Sequence, residues 1–392
     1  MVISKQKSGF FISCTIVTFF CLRMESIQYL TPFGELYLEI PIVLAVLLVA
    51  IEFIKFRSYS NIMLLSLAYF VVIIFSTYIN KGNIHLTLIN ICPALSMCLF
   101  SDYCMRTRPH EFARNLGCFL TMLIFLDLSS IFVFPDGMYT NTLYSANWIL
   151  GFKTQRANIA VTAIALLATE SYLKYGKIRL GVWLTAVASI LSSYLCESTG
   201  GMIGEILEVL FLITISVGEK FGRKLARFLT LQWTPFLLII IVDIMITVLN
   251  HVAVFEPLIV DTLGKDISFT GRTVIWAESI NLFFRNPVIG CGFLDSIRFI
   301  QLTGNYGGTQ PHNLFLAILV YSGIFGLLLF AVVFFLSVKN CTRKHQHNYN
   351  GGYIFRCCII ASLVIGITSM NAYTGFTMAS MIILYHYCKI YH

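Results

Sequence analysis

Eight histidines, nineteen acids and twenty-seven lysines and arginines are the whole supply of acid–base and phosphate chemistry in this chain of 392 residues. His312 has the most suggestive setting. Gly307-Gly308-Thr309-Gln310-Pro311 leads into it and Asn313-Leu314-Phe315-Leu316 follows. A glycine-rich approach and a proline thus present an imidazole at the first turn of an apolar run, where it can move a proton near neutral pH. An interfacial histidine with one wet edge fits the same residues, and both readings stand. His85 and His251 have weaker surroundings and read as interfacial. Arg272 opens an apolar-periodic stretch. Spacing alone favours a solvated loop charge there, while the chemical reading is a guanidinium fork donating paired hydrogen bonds to a phosphate. Lys153 and Arg156 admit the same argument, whereas Arg285 and Arg298 read as plain surface charges.

Acids within apolar runs are Asp127, Glu170, Glu205, Glu208 and Asp243. Charge inside a bilayer is costly and often functional. Glu205 and Glu208 are three apart and share a helix face, which suits a proton or ion path. Pairing with nearby Arg or Lys toward the cytoplasm is the preferred reading. No two acids are separated by a single residue, so no Asp-x-Asp metal–sugar motif exists, and there is no His/Cys ligand cluster and no Walker loop.

The elements that must position these groups are membrane helices. The chain is 57% hydrophobic and 12% charged, with mean hydropathy +0.80, against about 25% charged in soluble domains. The net charge of +8 is scattered between apolar runs, which excludes a nucleic-acid binder. Most of the twelve cysteines lie inside apolar runs, as do Cys14, Cys92, Cys118, Cys357 and Cys358, and read as small embedded hydrophobes. A helical span takes about 20 apolar residues. Twelve fit, near 9–22, 36–54, 60–79, 84–101, 115–134, 157–174, 179–196, 200–217, 229–249, 312–337, 353–369 and 373–390. The first is short enough for a signal peptide, but Arg23-Met24-Glu25 follows it in place of a small-residue cleavage site, so it is kept as a span.

Loop charges orient the spans. With a cytoplasmic N-terminus, 18 cations fall inside, and eight outside: Arg23, Lys81, Lys153, Arg156, Lys265, Arg272, Arg285 and Arg298. The fold class expected is all-α and polytopic, with about twelve transmembrane helices, both termini cytoplasmic, and a long extracytoplasmic loop containing short helices.

That loop runs over 250–311 and is too long for a mere connector. Residues 271–284 place apolar Val274, Ile275, Ile280, Leu282 and Phe283 at helical spacing, Thr270 can cap the start, and Asn286-Pro287 stops the helix. An amphipathic helix lying on the outer membrane face is expected, followed by a tight turn at Gly290-Cys291-Gly292. A second polar outer segment covers 135–156. Glu197-Ser198-Thr199-Gly200-Gly201 is small enough for two helices to approach closely.

Gly271-Arg272-Thr273-Val274-Ile275-Trp276, then Asn286-Pro287-Val288-Ile289-Gly290-Cys291-Gly292, then His312-Asn313 with Leu316 and Gly323, resembles the signature of the O-antigen polymerase and ligase superfamily. The segment from Gly151-Phe152 to Asn158 and the 197–201 block also resemble that family, the latter lacking the arginine of a common Ser-Arg-Gly pattern. The similarity covers about 150–330. It implies a metal-independent, cofactor-free membrane glycosyltransferase of the C-type class, inverting, acting at the outer face of the bacterial cytoplasmic membrane on an undecaprenyl-diphosphate-linked oligosaccharide. Arg272, with Arg156 as helper, would hold the diphosphate, and His312 would orient or deprotonate the acceptor hydroxyl. Lys153, Trp276 and Asn313 are the further substrate-binding candidates. The chain then divides into spans one to nine (1–249), a catalytic loop (250–311) and spans ten to twelve (312–392). Repeat-unit polymerisation for O-antigen or capsule is the leading reading. Ligation of glycan to lipid A–core is the near alternative, a lipid-linked oligosaccharide flippase the alternative from another class, and a structural scaffold a third. Membrane lipids, a chain-length regulator and a flippase are the candidate partners, with no nucleic acid.

Overall fold

The computed structural model describes residues 2–141, 144–217, 234–248, 271–306, 308–339, 349–370 and 376–390. The loop residues Thr270, His251 and Lys265 lie outside them, as does most of the first half of the 250–311 loop. All regular structure among the described residues is helical, apart from two isolated bridges at Tyr139–Asn147 and Trp148–Gly151.

In chain order the helices are α1 (Val2–Cys21), α2 (Glu25–Leu30), α3 (Gly34–Phe56), α4 (Asn61–Ile79), α5 (Ile84–Thr107), α6 (Pro109–Val133), α7 (Arg156–Tyr175), α8 (Leu180–Leu195) and α9 (Thr199–Val217). Then come α10 (Thr234–Thr247), α11 (Arg272–Arg285), α12 (Ser296–Thr303), α13 (Leu314–Lys339), α14 (Tyr349–Thr368) and α15 (Phe376–Ile390). Each of the twelve apolar runs overlaps one of these helices. By length and composition six can cross a membrane: α3, α4, α5, α6, α9 and α13. Gly9–Cys21, Leu180–Leu195, Thr234–Thr247 and Gly352–Thr368 are shorter apolar helices.

Polarity is turned inside out. Outward positions along α3 and α8 are Val43, Val46, Ile54, Leu184 and Val187, all exposed, while Glu52, Asp102, Asp127, Glu205 and Glu208 are buried. That suits a helical membrane protein, whose apolar surface meets lipid. Inside, α3 packs on α5, α6 on α7, α13 on α4, α14 on α7 and α9, and α15 on α5. Asp102 joins α5 to α15 through His386 Nε2 at 2.6 Å, and Arg106 reaches Glu52 of α3 at 3.3 Å. Pairing for Glu205 and Glu208 is a correction: among the described residues neither forms an ion pair with a Lys or Arg, although the Arg156 charge acts on Glu205. Glu205 accepts from Ser193 Oγ at 3.1 Å, and the Glu208 carboxylate has no hydrogen-bond partner.

The tenth apolar run is not one continuous helix. At Gly323 α13 leaves helical geometry, with φ 64° and ψ −164°, which breaks its hydrogen-bond ladder. The freed groups are taken up by the turn that follows α11. Ile324 N donates to Pro287 O at 2.9 Å, Phe325 N to Val288 O at 3.1 Å, and Cys291 N to Val320 O at 2.7 Å. Broken helices at membrane depth are tolerated where protein re-satisfies the backbone in this way. The same turn is fastened to the end of α4: Ser76 Oγ and Asn80 Nδ2 donate to Gly290 O at 2.9 and 3.1 Å, and Thr77 Oγ1 accepts Phe293 N at 2.8 Å. Gly290 has φ +76°, and a Cβ there would lie 2.5 Å from Ser322 N; one at Gly323 would strike Val288 O. The tight turn at 290–292 is therefore present, and it serves to seat a backbone against a backbone.

The helix expected at 271–284 forms as α11, but its apolar face meets protein. Ile275, Trp276, Ser279 and Leu282 are buried, and Ile275 and Leu282 share a cluster with Leu294, Phe299, Ala317, Val320 and Tyr321. Val274 and Phe284 instead stay 56% and 68% exposed. The packing of α11 on α13 is what draws the buried stripe off the membrane surface. Arg285 and Arg298 are likewise more than surface charges, bonding Leu302 O at 3.1 Å and Asn80 O at 3.0 Å.

Replacing Gly290 or Gly323 by alanine combines a disfavoured positive φ, worth about 1–3 kcal/mol, with a steric conflict against backbone. Gly304, at φ +72° with open space where a Cβ would stand, supplies the conformational control. In a heat-challenge assay of detergent-solubilised protein, Gly290→Ala and Gly323→Ala should melt well below Gly304→Ala. Equal melting of the three would sink the interlock.

Candidate functional site

His312 lies just before α13 and takes φ 50°, a left-handed conformation rare for a residue with a Cβ. Its neighbours hold it there. Pro311 is buried. Asn313 is wholly buried and its carboxamide is fully engaged. Nδ2 donates to Asp243 Oδ1 at 2.5 Å and to Ile367 O at 3.0 Å, while Oδ1 accepts Leu316 N at 2.9 Å and so caps α13. Asp243 on α10 and the end of α14 therefore fix the residue next to the imidazole. Gly308 completes the approach, since a Cβ there would meet Ile275 Cγ1 of α11 at 2.7 Å. The loop that carries His312 rests on the helix that begins with Arg272.

Arg272 lies close enough to His312 for its charge to act on the imidazole. Burial, and then the Arg272 charge, push the imidazole pKa from 6.5 down to about 4, so at neutral pH His312 is uncharged and able to accept a proton. Arg272 is itself half-buried, and burial lowers its affinity for the proton, an effect opposed by Tyr144. It remains a cation. Among the described residues no carboxylate pairs with it. Trp276, one turn along α11, is completely buried in the main core.

Arg156 belongs to a second group. It is 3% exposed, its Nε lies 3.1 Å from Asp127 Oδ2, and its guanidinium sits 5.1 Å from the Trp148 ring centre. Lys153 is half-buried with its ammonium 5.9 Å from the Phe152 ring. The block at 197–201 connects the two groups as close helix approach requires: Gly200 abuts Thr368, next to the Ile367 carbonyl that holds Asn313, and a Cβ at Gly201 would lie 2.9 Å from Ala157 Cβ. His85 is an exposed partner of Glu39 at 2.9 Å. Sequence reasoning missed the pairings of Asp127 and Asp243. The cost of an acid in an apolar run is the available signal for both; their partners lie 29 and 70 residues away.

A sequence profile for the family described as O-Antigen ligase matches residues 184–331, which takes in Arg272, the 286–292 turn, His312 and Gly323. A Rickettsia felis protein provisionally named a polysaccharide ligase is 23% identical over 269 residues, 64% of this chain and 59% of that protein. The exopolysaccharide production protein ExoQ of Rhizobium meliloti is 31% identical over 86 residues, 19% of this chain and 20% of its own. The chain thus matches less than two thirds of either relative's length.

Because the native imidazole binds protons more weakly than the unfolded one, His312 costs stability as pH falls from about 6.5 toward 4. Arg272→Gln removes one of the two causes, so His312 should titrate closer to 6.5 without reaching it. Carbethoxylation of His312 across pH 4–8, followed by mass spectrometry, reads this directly. An unmoved midpoint in the variant would show that Arg272 does not act on the imidazole.

Proposed function

We propose that this chain, whose residues 184–331 belong to the O-antigen ligase and polymerase superfamily, is a membrane glycosyltransferase that polymerises undecaprenyl-diphosphate-linked repeat units into O-antigen or capsular polysaccharide at the outer face of the cytoplasmic membrane. The observation that carries this is the left-handed His312, clamped through Asn313 at the head of a broken membrane helix and within electrostatic range of Arg272. In the proposed step, a lone pair of the imidazole takes the proton of the acceptor hydroxyl. The acceptor oxygen attacks the anomeric carbon from the face opposite the leaving group, which inverts its configuration. The bond from that carbon to the diphosphate oxygen breaks, and the lipid diphosphate departs with its charge balanced by Arg272. Lys153 adds positive potential from the second group, where Arg156, neutralised by Asp127, acts as a support. Trp276 and Asn313, both buried, act by setting Arg272 and His312 in place. In this proposal the chain has twelve spans with both termini cytoplasmic, this site on the outer side, and 250–311 as the catalytic loop.

A ligase reading, with lipid A–core as acceptor, has its own support in the family's description and in the name of the Rickettsia felis relative. Both reactions use the same donor bond and the same two residues.

Alanine at His312 or Arg272, in a strain lacking the native copy, should abolish the polysaccharide ladder while membrane levels of the protein stay normal. For a polymerase, single-repeat products remain on lipid A–core. For a ligase, the core is bare and lipid-linked polymer accumulates. Unaltered ladders in both variants would rule out the site.

A further inference from the structure

Near this site the described residues 134–141 and 144–155 are fastened to α2 and to the end of α6. They are held without regular structure: Trp148 Nε1 donates to Phe134 O at 2.8 Å, Leu150 N to Asp127 Oδ1 at 2.9 Å, and Ser26 Oγ of α2 to Ile149 O at 2.6 Å. Such fastening presents side chains in fixed positions. Glu25 receives two amides, Asn141 Nδ2 at 3.0 Å and Gln155 Nε2 at 2.6 Å, and Asn141 Oδ1 accepts Tyr144 N at 2.7 Å. Gly151, at φ +94°, abuts Gln155, so only a residue without Cβ lets that amide seat beside the carboxylate. The Tyr144 ring lies parallel to Phe152, centroids 3.6 Å apart and planes within 11°. A second aromatic pair, Tyr29 and Tyr139, stacks at 6.0 Å.

Glu25, Asn141, Tyr144 and Gln155 are all only half-buried. The Tyr139 hydroxyl is buried with no hydrogen-bond partner among the described residues, a costly condition unless something else satisfies it. A carboxylate and two planar amides between aromatic rings is a set matched to a sugar. Hydroxyl pairs bond the carboxylate and amides, and the apolar C–H face of the ring lies on an aromatic face. A phosphate is disfavoured beside Glu25 by like charge. Both the Glu25 and the Arg272 charge act on Tyr144, which puts this patch within electrostatic range of Arg272.

We propose that Glu25, Asn141, Tyr144 and Gln155 form a sugar-binding subsite that receives the glycan, while Arg272 receives the diphosphate. The assignment rests on the glycosyltransferase reading, which supplies a substrate with both parts. The test uses the full-length chain in detergent and two sets of probes: inorganic pyrophosphate, and free glucose, galactose, N-acetylglucosamine and N-acetylgalactosamine. Binding is read by phosphorus line broadening for the first and by saturation transfer for the second. At least one sugar should bind, and Glu25→Gln and Tyr144→Ala should each weaken it about tenfold, the loss of one good contact, with pyrophosphate unaffected. Arg272→Ala should do the reverse. Binding of none of the four sugars, or sugar binding indifferent to both rim variants, overturns the subsite. Unaltered ladders in the His312→Ala and Arg272→Ala strains would instead overturn the glycosyltransferase reading, so the two failures are told apart.

Discussion

The structure turns on one exchange of hydrogen bonds, between the break in α13 and the turn at 286–292. An apolar helix interrupted at Gly323 leaves N–H and C=O groups that no lipid can satisfy. The carbonyls of Pro287 and Val288 and the amide of Cys291 satisfy them. This requires two backbones to lie in contact, which in turn requires glycine at 290 and 323. The exchange ties together α4, α11 and α13, elements from opposite ends of the chain. Every feature of the candidate site follows from where that junction places α11 and the segment before α13.

The junction explains why a histidine can be kept in a strained conformation. A left-handed residue costs about 1–3 kcal/mol and persists only where surrounding structure over-determines it. Here the determination comes from Asn313, which is clamped by Asp243 of α10, by the end of α14 and by α13 itself. The strained residue is the one whose burial beside Arg272 keeps it uncharged. Geometry and charge are set by separate parts of the structure, the first by Asn313 and the second by α11.

How much of this could be read from the sequence depended on the range of the interactions. Apolar runs are local, so each of the twelve runs corresponds to a helix, and Asn286-Pro287 ended α11 where the proline rule places it. The amphipathic pattern of 271–284 was legible too, but not what it would meet. Val274 and Ile275 are equally apolar neighbours, and only packing against α13 decides that one is exposed and the other buried. Gly323 stood out in the sequence only as part of a motif, and the break there was not legible, since the turn that takes up its freed groups lies more than thirty residues earlier. Glu205 and Glu208 show the opposite failure. Their spacing was clear, yet the expected basic partners are absent among the described residues.

The two arginines Arg156 and Arg272 differ in a way that bears on function. Arg156 is compensated: Asp127 neutralises it and Trp148 covers its face, so the pair can be buried as a nearly neutral unit. Removing one partner of such a unit strands the other, which makes it primarily a support. Arg272 is half-buried, with a neutral imidazole and a phenol as its electrostatic neighbours. A cation so placed lowers its free energy most by meeting an anion from outside, and the imidazole beside it stays uncharged for the same reason. The uncompensated charge therefore marks where an anionic group belongs, and the neutral base lies next to that place.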